Sequence, residues 1–299
     1  MGILNIGAVA ALATALSWTI TAIAFEYAGK RIGAFALNFL RLVLGMVFLG
    51  LYCLVVRGSF FPLDAPASAW LWLSASGIVG LVVGDLLLFQ AFIDIGSRVS
   101  MLLYASAPAL TAVLGFGILG ERLAGLALLG MALTLAGIAI VVLGRGEGQL
   151  EAECPEGEAK CAPRARRIRG LACALGGALG QAAGLILSKV GAGSMDPFAG
   201  TQIRVSAAVL GFAVVLAASG AWRGTFRALK DGKAIASLGL GSFFGPFLGV
   251  SLSLLAVQTT KAGLAAAIMS IVPILIIAPS ALIYKERVQG RDVLGSVVA

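Results

Sequence analysis

Residues 103–122 read LYASAPALTAVLGFGILGER, and residues 268–287 read IMSIVPILIIAPSALIYKER. The two stretches align without a gap. Pro108 meets Pro273, Glu121 meets Glu286 and Arg122 meets Arg287, each 165 positions later. Gly130 and Gly295, Gly80 and Gly245, and Gly84 and Gly249 keep the same offset. Nearer the N-terminus the offset is 163, where Gly7 meets Gly170, Phe35 meets Phe198 and Arg41 meets Arg204. A two-residue difference in one loop reconciles the offsets. Glycine matches alone mean little in a chain with 40 glycines, but matched arginines and a repeated Pro…Glu-Arg spacing are hard to obtain by chance. The chain reads as one unit written twice. In a polytopic membrane protein such a repeat implies a transporter, with its substrate site at the repeat interface.

Composition places the chain in a membrane. Hydrophobic residues make up 60% of it, charged residues 12%, and the mean hydropathy is +1.01. A soluble domain carries about 25% charged residues, so this chain lacks the polar surface to cover a water-soluble globule. There is no histidine, which excludes a Ser-His-Asp triad, His-ligated metal and His-ligated haem. No two acids lie close together within an apolar segment, which argues against a magnesium-dependent intramembrane enzyme. The expected cofactor and metal are therefore none, and no catalytic residue is expected. The formal net charge of +8 reads as basic loops beside anionic lipid, not as a nucleic-acid surface.

Ten apolar segments follow, near 4–26, 34–56, 69–93, 97–119, 123–143, 168–189, 197–219, 233–258, 262–284 and from 288 onward. Most reach the roughly 20 residues that a bilayer core of about 30 Å demands. The first lacks a basic leader and cleavage site and reads as a mature helix. The last is 12 residues long against a full-length counterpart, so the chain is expected to stop inside a tenth helix. Residues 1–145 form the first five-helix repeat, 146–167 a polar linker and 168–299 the second repeat. Five is odd, so the second repeat enters from the opposite side. The fold class expected is an all-α membrane protein, ten transmembrane helices in two inverted five-helix repeats around a central cavity.

Lys and Arg set the orientation. Arg57, Arg122, Lys189 and Lys261 fall on one side. The other side holds Lys30, Arg31, Arg98, the basic run of the linker, the Arg223–Lys233 group, Lys285 and Arg287. The excess places the linker in the cytoplasm and the N-terminus outside, in a multi-pass protein of the inner membrane. Cys53 and Cys173 lie in apolar helices and read as packing residues, and Cys154 and Cys161 match no standard zinc spacing.

The five-helix unit resembles the EamA-domain branch of the drug/metabolite transporter superfamily. Leu103-Tyr104-Ala105-Ser106-Ala107-Pro108 leading to Gly120-Glu121-Arg122 carries the resemblance, with Ala15-Leu16-Ser17-Trp18 in the first helix. The second copy departs in having Lys285 where the family has glycine. The resemblance implies alternating-access export of amino acids and other small metabolites, aromatic amino acids being the nearest match. A multidrug exporter or a lipid-linked flippase is the alternative. Partners implied are a small-molecule substrate and the bilayer, with the chain a monomer that binds no nucleic acid.

Polar residues at membrane depth are the candidate site, because a charge there is costly. Asp85 reads either as an ammonium-binding or proton-carrying carboxylate, or as one paired with an arginine. Arg41 and Arg204 read as carboxylate-binding or structural. Trp18, Tyr104, Ser106, Gln181 and Ser270 are candidate substrate contacts. Pro108, Gly245 and Pro273 read as hinges, with Gly245→Ala expected to slow transport without loss of folding. Gly80/Gly84, Gly180/Gly184, Gly241/Gly245 and Gly245/Gly249 are spaced for close helix crossings. Glu121 and Glu286 are expected to complement the dipole of the following helix. Glu26, at the end of the first segment, is not where a deep proton-carrying carboxylate would sit.

Overall fold

A computed structural model describes residues 6–121, 125, 129–133, 164–272 and 275, and among the described residues all regular structure is helical. Most of the expected fifth segment, much of the end of the ninth, the whole tenth, most of the linker, Arg122, Pro273, Glu286, Cys154 and Cys161 lie outside them. In the first repeat, α1 (Ile6–Ile32) meets α2 (Ala34–Arg57) across Gly33. Its φ of 79° lets a single residue turn the chain. Then α3 (Ala67–Ser76) passes through a π-helical segment (Gly77–Gly84) into α4 (Asp85–Tyr104), followed by α5 (Ala107–Leu119). In the second repeat, α6 (Arg164–Ala192) leads to α7 (Pro197–Ser219) and the short α8 (Trp222–Ala228). Next, α9 (Gly232–Ser242), a second π-segment (Phe243–Gly249) and α10 (Val250–Thr259) form one continuous rod, followed by α11 (Ala262–Met269). Among the described residues six stretches are long and apolar enough to cross a bilayer.

Three boundaries differ from the sequence expectation. Helix α1 runs to Ile32, so Glu26 falls within the helix and not at its end. Helix α6 starts at Arg164, inside the expected linker, because Asp94 holds its first turns: Arg169 Nη2 lies 2.7 Å and Arg166 Nε 3.4 Å from Oδ1. The expected 97–119 helix is broken by a turn at Ala105–Ser106, two residues before Pro108. Proline disfavours helical backbone in the residue before it and fits the first turn of a new helix, as Pro108 does in α5. The second copy turns at the matched Ser270–Ile271.

Helix α4 cannot be a straight rod. At 1.5 Å per residue its ends would stand about 28 Å apart. Yet Leu103 packs in one cluster with Ala91 and Ala174, and Tyr104 lies within electrostatic reach of Asp85. The chain therefore reverses between residues 95 and 102, so that two helical legs abut. The second copy makes the matching reversal at Thr260, whose backbone is extended (φ −143°).

The repeats interleave. Each repeat's π-segment packs on the first helix of the other, and the contacts obey the sequence offsets. Gly80 and Gly84 lie on Gly184 and Gly180: a Cβ on Gly180 would stand 2.7 Å from Gly84 Cα, and one on Gly184 2.9 Å from Gly80 Cα. The second copy sets Gly245 on Thr21, Gly249 on Trp18 and Gly241 on Phe25. The close-crossing reading of these glycines holds. Ala11, Ala15, Ala28, Ala174, Ala178 and Ala182 are fully buried, while Val55, Leu63, Val113, Leu210 and Val214 face outward. Small inside and large apolar outside is the arrangement lipid favours.

Both ends of the bundle are tied. At one end Arg31 Nε donates to Asp231 Oδ2 at 2.7 Å, and the guanidinium holds that carboxyl below the usual carboxylate range. At the other end Gly7 abuts Thr260, and Lys189 Nζ donates to the Thr260 carbonyl at 2.6 Å. The N-terminal end of α1 and the C-terminal end of α6 thus meet at Thr260, so these matched helices run in opposite directions.

Candidate functional site

A π-turn holds more residues than an α-turn, so the side chains after it are re-phased; such segments are frequent at functional sites. Asp85 and Val250 are the first residues past the two π-segments, at matched positions. Their neighbours across the repeat interface also match. The backbone nitrogen of Gln181 lies 3.4 Å from where a Cβ on Gly84 would stand, and Trp18 Nε1 lies 2.6 Å from the same point on Gly249. Trp18 and Gln181 therefore lie against the two π-segment ends at matched positions.

Asp85, Arg41 and Asn38 satisfy one another. Arg41 Nη2 donates to Asp85 Oδ2, and each side chain is 13% exposed. Arg41 Nε donates to Asn38 Oδ1 at 2.7 Å, and its cation sits 5.7 Å from the centroid of the Phe25 ring. Such a contact with an aromatic face adds favourable charge–quadrupole energy. Of the two roles read from sequence, Asp85 has the paired one in this structure. Tyr104 lies within electrostatic reach of this pair. Ser106 is buried, and among the described residues its hydroxyl has no hydrogen-bond partner.

The matched group in the second repeat is built differently. Thr201 stands where Asn38 does, Arg204 where Arg41 does, and Val250 where Asp85 does. Arg204 is 3% exposed. Its Nε and Nη1 have no hydrogen-bond partner, nor have the hydroxyls of Thr201 and of Ser251, next to Val250. Among the described residues no carboxylate acts on Arg204. Placing arginine at mid-membrane costs about 2.5–3.5 kcal/mol on insertion scales, and buried polar atoms are nearly always paired. The duplication has kept both arginines but neutralised only one.

The remaining candidates take structural places. Ser270 Oγ donates to the Ala267 carbonyl at 2.7 Å, within its own helix end. A Cβ on Gly245 would stand 2.8 Å from Thr21 Cγ2, so Gly245→Ala disturbs packing as well as any hinge motion. Glu121 does complement a helix dipole, but that of α11 in the other repeat. Its Oε2 accepts from the Ala262 N–H at 2.8 Å, and its Oε1 lies 2.6 Å from Lys189 Nζ. Cys53 is buried, Cys173 half-buried, and both are free thiols. Among the described residues no three His, Cys, Asp or Glu side chains gather to hold a metal. Asn38 and Thr201 escaped the sequence reading, although each lies three residues before its arginine, a spacing at which helical side chains meet.

Comparison with known proteins agrees with this architecture. None of the curated proteins matches the chain. Among solved structures 28 chains match. One, a crystal structure, covers 98% of this chain with 93% of its own at a TM-score of 0.69 and 16% identity, a likeness of fold. The sequence signature of the EamA-like transporter family matches residues 5–143 and again 168–299, the two repeats in turn. A multi-pass membrane protein of two matched helical units, carrying that signature in both, belongs to the EamA-like transporter family.

Proposed function

We propose that the protein is a secondary transporter that exports small metabolites, amino acids first among them, by alternating access between two inverted five-helix repeats. The observation that carries this is the polarity at the π-segment ends: a paired Asp85–Arg41 and, at the matched position of the second repeat, a buried Arg204. The antiparallel course of α1 and α6 supports inversion. With the basic excess on the linker side, the N-terminus lies outside the inner membrane. Rocking one repeat on the other about the glycine crossings would expose Trp18, Gln181 and Tyr104 to each side in turn.

The test is counterflow of radiolabelled amino acids in proteoliposomes, scanned across aromatic, aliphatic, hydroxyl and basic types. Uptake accelerated by the same compound inside the vesicle is expected for a subset. Folded protein with no such flux for any class would refute amino-acid transport.

A further inference from the structure

We propose that Arg204, with the hydroxyls of Thr201 and Ser251, is the binding seat for a substrate carboxylate. The substrate supplies to Arg204 the negative charge that Asp85 supplies to Arg41 in the first repeat. The inference deepens the transport reading above and rests on it.

The repeat itself makes the comparison. In the first copy an amide, a guanidinium and a carboxylate from positions 38, 41 and 85 satisfy one another. In the second copy the guanidinium remains, the amide has become a hydroxyl and the acid has become Val250. A purely structural arginine would need the partners its twin has. Instead two of the three Arg204 nitrogens and the hydroxyl one turn before it have no partner, in a side chain that is 97% buried, the complement of its 3% exposure. A planar fork of N–H donors fits a carboxylate in bidentate fashion, which a point charge does not. The hydroxyls can donate to the carboxylate oxygens that the fork leaves free. Phe247 lies one turn before Ser251 on the same rod, and it packs on Phe198 with ring centroids 5.4 Å apart. Both helical rods that carry the seat thus contribute an apolar ring, and a low-dielectric setting strengthens charge pairing.

The experiment uses full-length protein, with Val250→Asp and Arg204→Lys as variants. Val250→Asp rebuilds the first repeat's pair, so an internal carboxylate competes with the substrate. Arg204→Lys keeps the charge and removes the fork. Probes are L-phenylalanine, phenethylamine, which lacks the carboxylate, and 3-phenylpropionate, which lacks the amine. Counterflow is measured in proteoliposomes, and thermal unfolding in detergent is followed with and without 3-phenylpropionate. Both variants are expected to raise the KM for phenylalanine roughly tenfold or more, equivalent to about 1.4 kcal/mol. Phenethylamine should compete weakly in the parent. 3-Phenylpropionate should raise the parent's Tm and leave that of Val250→Asp unmoved.

Phenylalanine carried equally well by parent and both variants would overturn the seat and leave the transport reading standing. A parent without amino-acid flux, but with a Tm response to 3-phenylpropionate that Val250→Asp abolishes, would do the reverse. A parent with neither flux nor Tm response overturns both. If Val250→Asp does not fold, Arg204→Lys decides by the same readouts.

Discussion

Asp85 and Arg41 show how much one residue pair depends on its partner. Each buries a charge at membrane depth, and each is compensated by the other. Removing one member leaves a buried charge alone and costs more than removing both. Asp85→Asn is expected to lower stability by about 2–3 kcal/mol, less than the roughly 3–5 kcal/mol of a fully buried pair because both side chains keep 13% exposure. Adding Arg41→Gln should recover most of that loss. Thermal unfolding of the parent, both single variants and the double variant gives the coupling energy. A coupling near zero would show that the pair does not form in the protein. The sequence marked both residues, because charge inside an apolar run is legible without a structure. That Asp85 could pair with an arginine was legible too, but its geometry was not: the partners lie 44 residues apart, and the π-turn before Asp85 decides which way it points. The contrast between Asp85 and Val250 was visible, but its meaning for Arg204 required the burial and the unpaired nitrogens.

At the scale of elements, glycine decides where helices touch. The spacing of Gly80, Gly84, Gly180 and Gly184 was enough to expect a close crossing, and the backbones meet there. The π-segments were not legible, because no residue type demands them: Pro246 lies in the second, yet the first has Leu81 at that place. Both end at matched glycines packed on the other repeat, so tertiary contact and not local propensity sets them. Helix ends anchored by distant partners were missed for the same reason, as with Asp94 holding the start of α6. Gly180→Ala puts a methyl group against Gly84 Cα at 2.7 Å, backbone that has no flexible side chain to yield. Overpacking of this kind costs about 1–3 kcal/mol. Gly117→Ala is the matched control, with nothing within 4 Å of the added carbon, and helix propensity favours it by up to about 1 kcal/mol. Thermal unfolding should therefore move down for Gly180→Ala and stay level or rise for Gly117→Ala. Equal shifts in the two would mean that the α6 crossing is looser than the structure has it.

For the molecule as a whole, the question is what must separate if one repeat rocks on the other. The legible part was the duplication and the grouping of Lys189 and Lys261 at one end. The contact that closes that end was not legible. Glu121, from the first repeat, takes Lys189 from α6 and the Ala262 N–H from α11, both in the second. Lys189 in turn holds the Thr260 carbonyl at the reversal before α11. One carboxylate thus fastens three strands of chain from two repeats, and opening this end must break it. The pair is partly exposed, 20% for Lys189 and 14% for Glu121, so it is weak enough to open and strong enough to bias the equilibrium. With the native cysteines replaced, Glu121→Cys and Lys189→Cys joined by a short bifunctional thiol reagent should abolish counterflow. Each single cysteine treated alike should keep it. Glu121→Gln removes the charge without a bridge, and should increase labelling of a cysteine placed at Gly193 on the same end. Full flux through the cross-linked protein would show that this end does not part during transport, and the rocking motion would have to be sought elsewhere.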